Sequence, residues 1–368
     1  MTIMRLGDIC EFKYGSALPE RSRVPGATPV YGSNGEVGTH NQSYTDGPAI
    51  IVGRKGSIGE VNYSPDPCWP IDTTYYIDQS ATEHNLRWLA YALSGLDLGQ
   101  LNKATGVPGL NRNDAYEKTL HVPSLEEQRR IAVILDQAND LRRKRVESIR
   151  QIDRLIEADF SSSFVEDASP NWPEVAIEDV CFSIRTGPFG SQLLHSEFVE
   201  SGVAVLGIDN AVRNEFAWDE RRYITEEKFR KLSRFRVFPN DVIITIMGTC
   251  GRAAVVPDTI PVAITTKHLC CLTLDATRCL PEFLHACFLL SPTVLRQLGV
   301  SARGAVMPGL NMGLIKKTRF QLPPIDLQRA FVARTRKING LKTDCLRHLT
   351  KLDELFFSLQ HRAFRGEL

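Results

Sequence analysis

The sequence lacks the residue patterns that mark membrane, secreted and metal-dependent proteins. It has no apolar run near the ~18 residues that a membrane span requires, and its N-terminus has no basic segment followed by an apolar one. The nine cysteines form no C-x-x-C pair, and none of the eight histidines lies three to five residues from another. This excludes the usual metal-ligand spacings and favours reduced thiols. We expect a cytoplasmic protein that makes no membrane contact.

Catalytic motifs are also missing. The stretch GRKGS (residues 53–57) places its lysine before the second glycine, whereas a phosphate-binding P-loop needs two glycines followed by Lys and Ser or Thr. TGPFG (186–190) lacks the three glycines of a dinucleotide loop. No G-x-S-x-G or H-E-x-x-H is present. No catalytic residue, metal ligand or cofactor is therefore predicted for this chain, and an enzyme is the last-ranked interpretation.

What the sequence does contain is an internal repeat. PGLN occurs at residues 108–111 and again at 308–311, an offset of 200. Upstream, Gly56 and Gly59 of IIVGRKGSIGEV match Gly248 and Gly251 of IITIMGTCGRA at an offset of 192, and Thr73 and Thr74 fall on Thr265 and Thr266 at that same offset. The chain is interpreted as a tandem duplication in which a globular segment precedes a helix. The offset of 200 also relates these pairs: Pro123 and Pro323, Gln128 and Gln328, Arg129 and Arg329, Leu141 and Leu341, Leu155 and Leu355, Phe164 and Phe364.

Each copy ends in a long amphipathic segment. After Pro123 and after Pro323, apolar residues recur at spacings of three and four, which predicts one helical stripe. Ser124 and Glu127 form a candidate capping box for the first helix. Since neither single-striped helix is expected to be stable alone, we predict that the two pack as a coiled coil. The stripes include Leu141, Leu155, Leu341 and Leu355 among other residues.

The globular segments mix short β-rich runs with helical patches and dense turn residues, which predicts an irregular α+β fold. The polar, proline-bearing stretch after the first helix is the natural boundary between the copies. The predicted division is 1–123 (first globular domain), 124–163 (central helix), 164–171 (linker), 172–323 (second globular domain) and 324–368 (C-terminal helix).

Charge alone does not indicate nucleic acid, because the formal net charge is only +1 and only residues 324–368 are clearly basic. The loops of the first copy nevertheless carry side chains suited to base edges and phosphates: YGSNG (31–35), GRKGS, DTT (72–74) and LNRND (110–114). Each loop also suits a simple turn, in which glycine and asparagine accept positive φ. The two interpretations are compatible.

These stretches together resemble the DNA-specificity subunit of type I restriction–modification systems. PVYGSNGEVGTHN, IIVGRKGSIGEVNY, DTTYYI, ATGVPGLNRNDAY and VPSLEEQRRIA look like that family's first recognition domain and the helix after it. GPFGSQL (187–193) is similar to the start of a different subclass of recognition domain, and LDELFFSLQHRAFRGEL looks like the family's C-terminal end. The resemblance covers essentially the whole chain.

The resemblance implies a non-catalytic subunit with pseudo-twofold symmetry, whose two recognition domains are joined by two antiparallel helices. Each domain would read one half of a bipartite, asymmetric site in double-stranded DNA, while the helices fix the gap between the halves. Two methyltransferase subunits carrying S-adenosylmethionine would dock on this frame, and two restriction subunits using ATP and Mg can join them. With partners around the DNA, a net charge of +1 is no obstacle, and the isolated chain should bind weakly and salt-sensitively.

The two halves are expected to read different sequences, because Arg54 and Lys55 align with Ile246 and Met247, and NRND (111–114) becomes NMGL (311–314). A specificity-like subunit of another modification or phage-defence assembly, and a scaffold that no longer reads DNA, remain alternatives. The recognised sequence and the gap length do not follow from the residues. The candidate DNA contacts are Ser33, Asn34, Arg54, Lys55, Thr73, Asn111 and Arg112 in the first half, and Ser191, Gln192, Asn210, Arg213, Thr249, Lys267 and His268 in the second.

Overall fold

The computed structural model describes residues 2–101, 109–166, 169, 171–299 and 310–368. The chain divides into two compact units. The first comprises Met1–Ser148 and Cys345–Leu368, and the second comprises Ile149–Asp344. Each long helix therefore contributes one part to each unit. Within the described ranges, no helix is both long and apolar enough to span a membrane.

The first unit is built on a four-stranded antiparallel sheet in the order β2-β8-β5-β6. A second sheet, β4-β3-β7, pairs β3 with β7 in parallel, and β1 pairs with β9 next to the long helix. The strands are β1 (Thr2–Arg5), β2 (Lys13–Tyr14), β3 (Thr28–Gly32), β4 (Gly35–His40), β5 (Ala49–Gly53), β6 (Val61–Ser64), β7 (Trp69–Pro70), β8 (Thr74–Ile77) and β9 (Thr119–Val122). The helices are α1 (Leu6–Ile9), α2 (Leu86–Ser94), α3 (Arg112–Tyr116) and α4 (Leu125–Ser161).

The second unit repeats this plan with the sheet β11-β18-β15-β16 and a second sheet β13-β12-β17-β14, in which β12 and β17 are parallel. β10 pairs with β19, as β1 does with β9. The strands are β10 (Glu174–Ala176), β11 (Cys181–Thr186), β12 (Val203–Leu206), β13 (Tyr223–Ile224), β14 (Arg236–Val237), β15 (Val242–Thr245), β16 (Ala253–Val255), β17 (Ala263–Thr265), β18 (Leu269–Leu274) and β19 (Arg319–Gln321). The helices are α5 (Glu226–Leu232), α6 (Pro281–Leu290), α7 (Pro292–Leu298), α8 (Met312–Lys317) and α9 (Ile325–Arg365).

A buried glutamine joins each globular part to its long helix. Gln128 of α4 accepts a hydrogen bond from the backbone N–H of Asn85, the residue before α2, at 2.9 Å. Gln328 of α9 accepts one from the backbone N–H of Leu280, the residue before α6, also at 2.9 Å. Both glutamines are almost fully buried, and each also donates to the carbonyl of the proline five residues earlier. The glutamine match in the sequence is thus a match of structural role, and it makes α2 and α6 equivalent at an offset of 195.

Strand pairing corrects one part of the sequence register. Gly53 pairs with Thr74 in the first unit, and Thr245 pairs with Leu269 in the second. The turn after β5 therefore keeps the offset of 192, while β8 and β18 are related by 195. The match of Thr73 and Thr74 to Thr265 and Thr266 was wrong by three residues, because the connection between β16 and β17 is longer than that between β6 and β7.

The two long helices run antiparallel within each unit. In the first unit Arg142 of α4 bonds Asp353 of α9 at 2.6 Å, and Arg130, nearer the start of α4, reaches the carbonyl of Leu368. In the second unit Lys342 of α9 pairs with Asp153 of α4 at 2.9 Å. The predicted helix-on-helix packing is therefore confirmed.

The predicted leucine stripe was wrong at four of its positions. The buried part of α4 in the first unit, which includes Ile131 and Leu135, packs into the same core as Trp88 of α2. Elsewhere the stripe is partly exposed, both near the middle of the helices, at Leu141 and Leu341, and towards their C-terminal ends, at Leu155 and Leu355. Four leucines of the repeat are about half exposed: Leu141 (52%), Leu155 (58%), Leu341 (60%) and Leu355 (47%).

Candidate nucleic-acid interface

The turn after β5 is held rigidly against the loop that precedes β8. The backbone N–H groups of Arg54 and Lys55 both donate to the carbonyl of Thr73, at 2.9 and 3.1 Å. Gly56 and Gly59 have φ of +81° and +73°, a region that favours glycine, so the turn depends on them. The turn therefore presents the Arg54 and Lys55 side chains from a fixed backbone.

The chain segment leading into α3 is attached to the same turn. The N–H of Leu110 donates to the carbonyl of Arg54 at 2.8 Å. The hydroxyl of Tyr75 donates to the carbonyl of Leu110 at 3.1 Å, and burial raises the pKa of this phenol, which keeps it protonated as a donor. The result is an open cavity of about 390 Å³ whose lining includes Tyr14, Arg54, Lys55, Asn111 and Arg112.

The ring of Tyr14 lies beside both arginine side chains of this cavity. Its ring lies 5.1 Å from the guanidinium of Arg54 and 5.3 Å from that of Arg112, both within cation–π range. The Tyr14 ring is half exposed. Sequence reasoning missed this residue, although its position before Gly15 was a signal. A Cβ on Gly15 would meet the carbonyl oxygen of Ile71 at 2.2 Å, so the strand end at Tyr14 is fixed against the loop before β8.

Each arginine is also anchored by one backbone carbonyl. Arg54 donates to the carbonyl of Asp72 at 2.8 Å, and Arg112 donates to that of Phe12 at 3.2 Å. The Nε of Arg54 is buried and has no partner among the described residues. Both side chains are partly exposed. Anchored guanidinium groups lose little conformational freedom on binding a phosphate or a base edge.

The remaining first-half candidates lie close by. The side chain of Ser33, in the turn between β3 and β4, lies within 3.2 Å of a Cβ placed on Gly56, and Asn34 beside it is exposed. Asn111 caps α3, because its side-chain oxygen accepts from the N–H of Asn113 at 2.9 Å. The structure thus gathers all seven first-half candidates, including Thr73, at one end of the unit.

Asn311 caps α8 in the same way, accepting from the N–H of Leu314 at 2.8 Å. A helix cap is therefore the shared role of the asparagine in the repeated PGLN. The prolines of that motif, Pro108 and Pro308, lie outside the described residues.

The second unit builds the same turn with different side chains. Gly248 and Gly251 have φ of +75° and +82°, and the N–H of Ile246 donates to the carbonyl of His268 at 2.8 Å. Thr249 and Lys267 are exposed at this turn. The pKa of His268 is lowered, first by burial and then by the neighbouring Lys267 and Arg222 charges. His268 is therefore a neutral hydrogen-bonding group near pH 7.

Ser191 and Gln192 are exposed in a short turn that follows β11. The side-chain oxygen of Gln192 lies 3.5 Å from a guanidinium nitrogen of Arg234. The loop begins at the same end of the unit as the β15 turn, since the N–H of Gly187 donates to the carbonyl of Thr266 at 3.2 Å.

Asn210 and Arg213 do not join this group. Asn210 is 2% exposed, and its side chain bonds the N–H of Gly207 at 2.8 Å and the carbonyl of Ala217 at 2.7 Å. It stabilises its own turn. Arg213 pairs with Asp219 at 2.5 Å and lines a different cavity, beside α4, α6 and α9.

Among the described residues of the second unit, the cationic cavity has no counterpart of the same chemistry. Arg54 and Arg112 correspond to Ile246 and Met312. Strand pairing places Thr186 at the position of Tyr14. The two units therefore present different surfaces on one backbone plan.

The described ranges contain no group of three or more His, Cys, Asp and Glu side chains that could hold a metal ion. The cysteines are free, and most are buried. Burial raises the pKa of Cys10 and of Cys270 to about 12, so neither is a thiolate nucleophile at neutral pH.

Known proteins similar in sequence to this chain include specificity subunits of type I restriction enzymes. Residues 1–151 match the family model described as type I restriction modification DNA specificity domain. The chain is 24% identical over 351 residues to the EcoBI specificity subunit of Escherichia coli, covering 87% of this chain and 73% of that protein. It is 22% identical over 257 residues to the MjaVIII specificity subunit of Methanocaldococcus jannaschii, covering 65% of this chain and 59% of that protein.

Solved structures share the fold. The S subunit of a type I restriction–modification system from M. genitalium aligns with a TM-score of 0.59 and 17% identity, over 99% of this chain and 96% of that one. A structure from a study of complex assembly and conformational transition of the type I R-M system aligns with the same TM-score and 16% identity, over 100% of this chain and 98% of that one. The predicted α+β architecture with two long helices is confirmed.

Proposed function

We propose that the chain is a specificity subunit of the type I restriction–modification family, to which it is similar in sequence, and that each of its units reads one half of an asymmetric, bipartite DNA site. The observation that carries this proposal is the cavity at Tyr14, Arg54 and Arg112, together with its chemical replacement in the second unit. The role is sequence-specific DNA recognition and is not catalytic.

The first unit suits guanine or phosphate. A guanidinium can donate two parallel hydrogen bonds to guanine O6 and N7, and the same fork fits a phosphate. Arg54 and Arg112 are both anchored near one aromatic ring, and Lys55 lines the same cavity. In the second unit, Thr249, Lys267 and neutral His268 offer mixed donors and acceptors instead. The two half-sequences should therefore differ.

The test is to map methylated sites in the host genome with and without this chain, and then with Arg112→Ala and Lys267→Ala. A lost base contact costs about 1–3 kcal/mol and relaxes one position of the site. Arg112→Ala should relax only one half-sequence and Lys267→Ala only the other, so each variant is the control for its counterpart. An unchanged methylation pattern in both variants would refute the assignment.

The helices are proposed to set the gap between the half-sequences. One heptad of helix is about 10 Å long, which corresponds to about three base pairs of DNA. Residues 144–150 and 345–351 are matched by the antiparallel pairing, in which Arg142 meets Asp353 and Lys342 meets Asp153. Deleting both stretches should shorten the gap by about three base pairs and leave both half-sequences unchanged. An unchanged gap would exclude the ruler role.

The exposed leucines support docking of two methyltransferase subunits. Leu141 and Leu355 flank the Arg142–Asp353 pair in the first unit, and Leu341 and Leu155 flank the Lys342–Asp153 pair in the second. All four are about half exposed and belong to the offset of 200. Two equivalent apolar surfaces fit two copies of one partner. We propose that these partners carry S-adenosylmethionine, and that restriction subunits using ATP and Mg complete the assembly.

A scaffold that does not read DNA is the competing function. If the complete assembly protected specific duplex sequences equally well without this chain, the scaffold interpretation would replace ours. We further expect the isolated chain to bind DNA weakly and to lose affinity as salt rises, because its net charge is only +1.

A further inference from the structure

The inference starts from a tyrosine that fills the contact between α2 and the long helices in the first unit. Tyr91 is buried, and its ring lies 5.9 Å from that of Phe356. Its hydroxyl donates to Asp136 at 2.7 Å and accepts from Arg87 at 2.9 Å. One aromatic side chain thus fills the space and satisfies an ion pair.

The second unit has the same contact without the aromatic rings. Gln128 and Gln328 fix the register of α2 and α6, which places Ala286 at the position of Tyr91. The offset of 200 places Ile156 at the position of Phe356. The structure contains a cavity of about 440 Å³ here, lined by Ala286, Ile156, Phe331 and Val332 among other residues. A cavity of roughly 150 Å³ already accepts a benzene ring.

The second unit also has an ion pair at the positions equivalent to the two polar partners of Tyr91, but the positive and negative residues are exchanged. Arg87 and Asp136 of the first unit correspond to Glu282 and Arg336 of the second, which also form an ion pair. Both line the cavity. A phenol hydroxyl can donate to Glu282 and accept from Arg336, as that of Tyr91 does with Asp136 and Arg87.

Beside this ion pair, the region of the cavity holds one polar group that has no partner among the described residues. The hydroxyl of Thr335, at the position of buried Leu135, is buried without a hydrogen bond among the described residues. His285 supports the wall, since its Nε2 lies 3.0 Å from the carbonyls of both Asn214 and Ala253. Exposed charges at Glu157, Arg213 and Glu215 belong to the same cavity, so it reaches the surface.

We infer that this cavity is a binding site for a tyrosine side chain of a partner protein that docks on α6, α4 and α9 in the second unit. The ring occupies the space that Tyr91 and Phe356 fill in the first unit, and the hydroxyl meets the Glu282–Arg336 pair. The identity of the partner, a methyltransferase subunit, rests on the proposed function. The site itself does not.

The site is tested with p-cresol, the tyrosine side chain as a free molecule, titrated into the full chain by calorimetry or NMR. The wild type should bind it, and Ala286→Tyr should abolish binding while raising the melting temperature. Ile156→Phe fills the cavity from α4 and serves if the first variant does not fold. Tyr91→Ala should create a second p-cresol site. Failure of the wild type to bind, or binding that survives both filling variants, would overturn the inference.

The partner is tested by measuring the affinity of the full chain for the methyltransferase subunit. Ala286→Tyr should weaken assembly by at least about tenfold, the loss of one anchoring aromatic contact, whereas Ala286→Ser, which leaves the cavity open, should not. Unchanged affinity in Ala286→Tyr would show that no partner side chain enters, and would refute the inference. The methylation map of the unmodified protein is independent of this result, so DNA recognition stands or falls separately.

Discussion

Arg142 donates a hydrogen bond to Asp353 at 2.6 Å, and its guanidinium also lies 4.6 Å from the centre of the Phe356 ring. At an offset of 200, Arg142 corresponds to Lys342 and Asp353 corresponds to Asp153, and these two residues form an ion pair at 2.9 Å. The two copies of the repeat therefore share an equivalent ion pair between the long helices as well as a fold.

Exchanging the charges should restore what a single substitution removes. Arg142→Asp places two carboxylates together and should destabilise the chain by about 1–2 kcal/mol, since the pair is only partly buried. Adding Asp353→Arg should recover part of this loss, measured by urea denaturation. No coupling in the double-mutant cycle would mean that the pair does not stabilise the fold.

The buried glutamines should be the most sensitive polar positions of the helices. Gln128→Leu leaves the N–H of Asn85 and the carbonyl of Pro123 without partners, at a cost of about 3 kcal/mol. Gln328→Leu should cost about the same, because Gln328 makes equivalent bonds. Arg129→Leu, at an exposed neighbouring position, is the control and should change stability little. The measurement is the free energy of unfolding of the three variants, obtained by denaturation under the same conditions.

The charges of the ion pairs that α2 and α6 form with the long helices are exchanged between the units, and they should determine whether α2 or α6 packs on a given part of the long helices. Arg87→Glu gives α2 the charge that α6 carries at Glu282, and it then faces Asp136. We expect a loss of about 1–2 kcal/mol, with recovery when Asp136→Arg is added. Equal stability of the single and double variants would contradict this role.

His285 should make stability depend on pH. Burial lowers its pKa from 6.5, although Glu215 and Glu282 act in the opposite direction. The unfolded chain therefore takes up the proton first as pH falls. The stability contributed by neutral His285 is complete above pH 6.5 and declines as pH falls through the lower folded value.

His285→Gln keeps a donor for the two carbonyls but does not titrate. Between pH 7.5 and 5, on the order of the range in which histidine charges, the wild type should lose more unfolding free energy than this variant. His84 and His268 also have lowered pKa values, but they are common to both proteins. Parallel pH profiles would exclude His285 as the cause.

Tyr14 should affect DNA recognition through the two arginines beside it. Tyr14→Ala removes the ring that faces Arg54 and Arg112, so affinity for the cognate site in the complete assembly should fall by about 1–2 kcal/mol. Tyr14→Phe keeps the ring and is the matched control. Equal loss in both variants would assign the effect to the hydroxyl.

The fold was largely predictable because its signals are periodic. The helices predicted after Pro123 and Pro323 occur as Leu125–Ser161 and Ile325–Arg365, since apolar spacing and prolines define such segments locally. The exposure of Leu141 and Leu155 was not predictable. Periodicity identifies an apolar face, but it does not reveal which neighbour covers that face.

The site was only partly predictable. Arg54, Lys55 and Arg112 were found because their residue types suit DNA, and the structure places them in one cavity. Asn210 met the same criterion but is buried in its own turn. Residue type alone does not distinguish these cases. The position of Tyr14 depends on a pairing between strands some sixty residues apart, which a local pattern does not contain.

The sharing of the long helices has a consequence for how such a chain can arise. Phe356 and Ala363 of α9 complete the core of the first unit, and Phe160 of α4 lies in the core of the second. A product that stopped after the first helix would lack its closing segment, unless a second copy supplied it with Arg142 facing the Asp153 of the other copy. The chain is in this sense equivalent to two similar subunits joined covalently. On the proposed function, this covalent link lets the two halves carry different side chains and so read two unlike sequences.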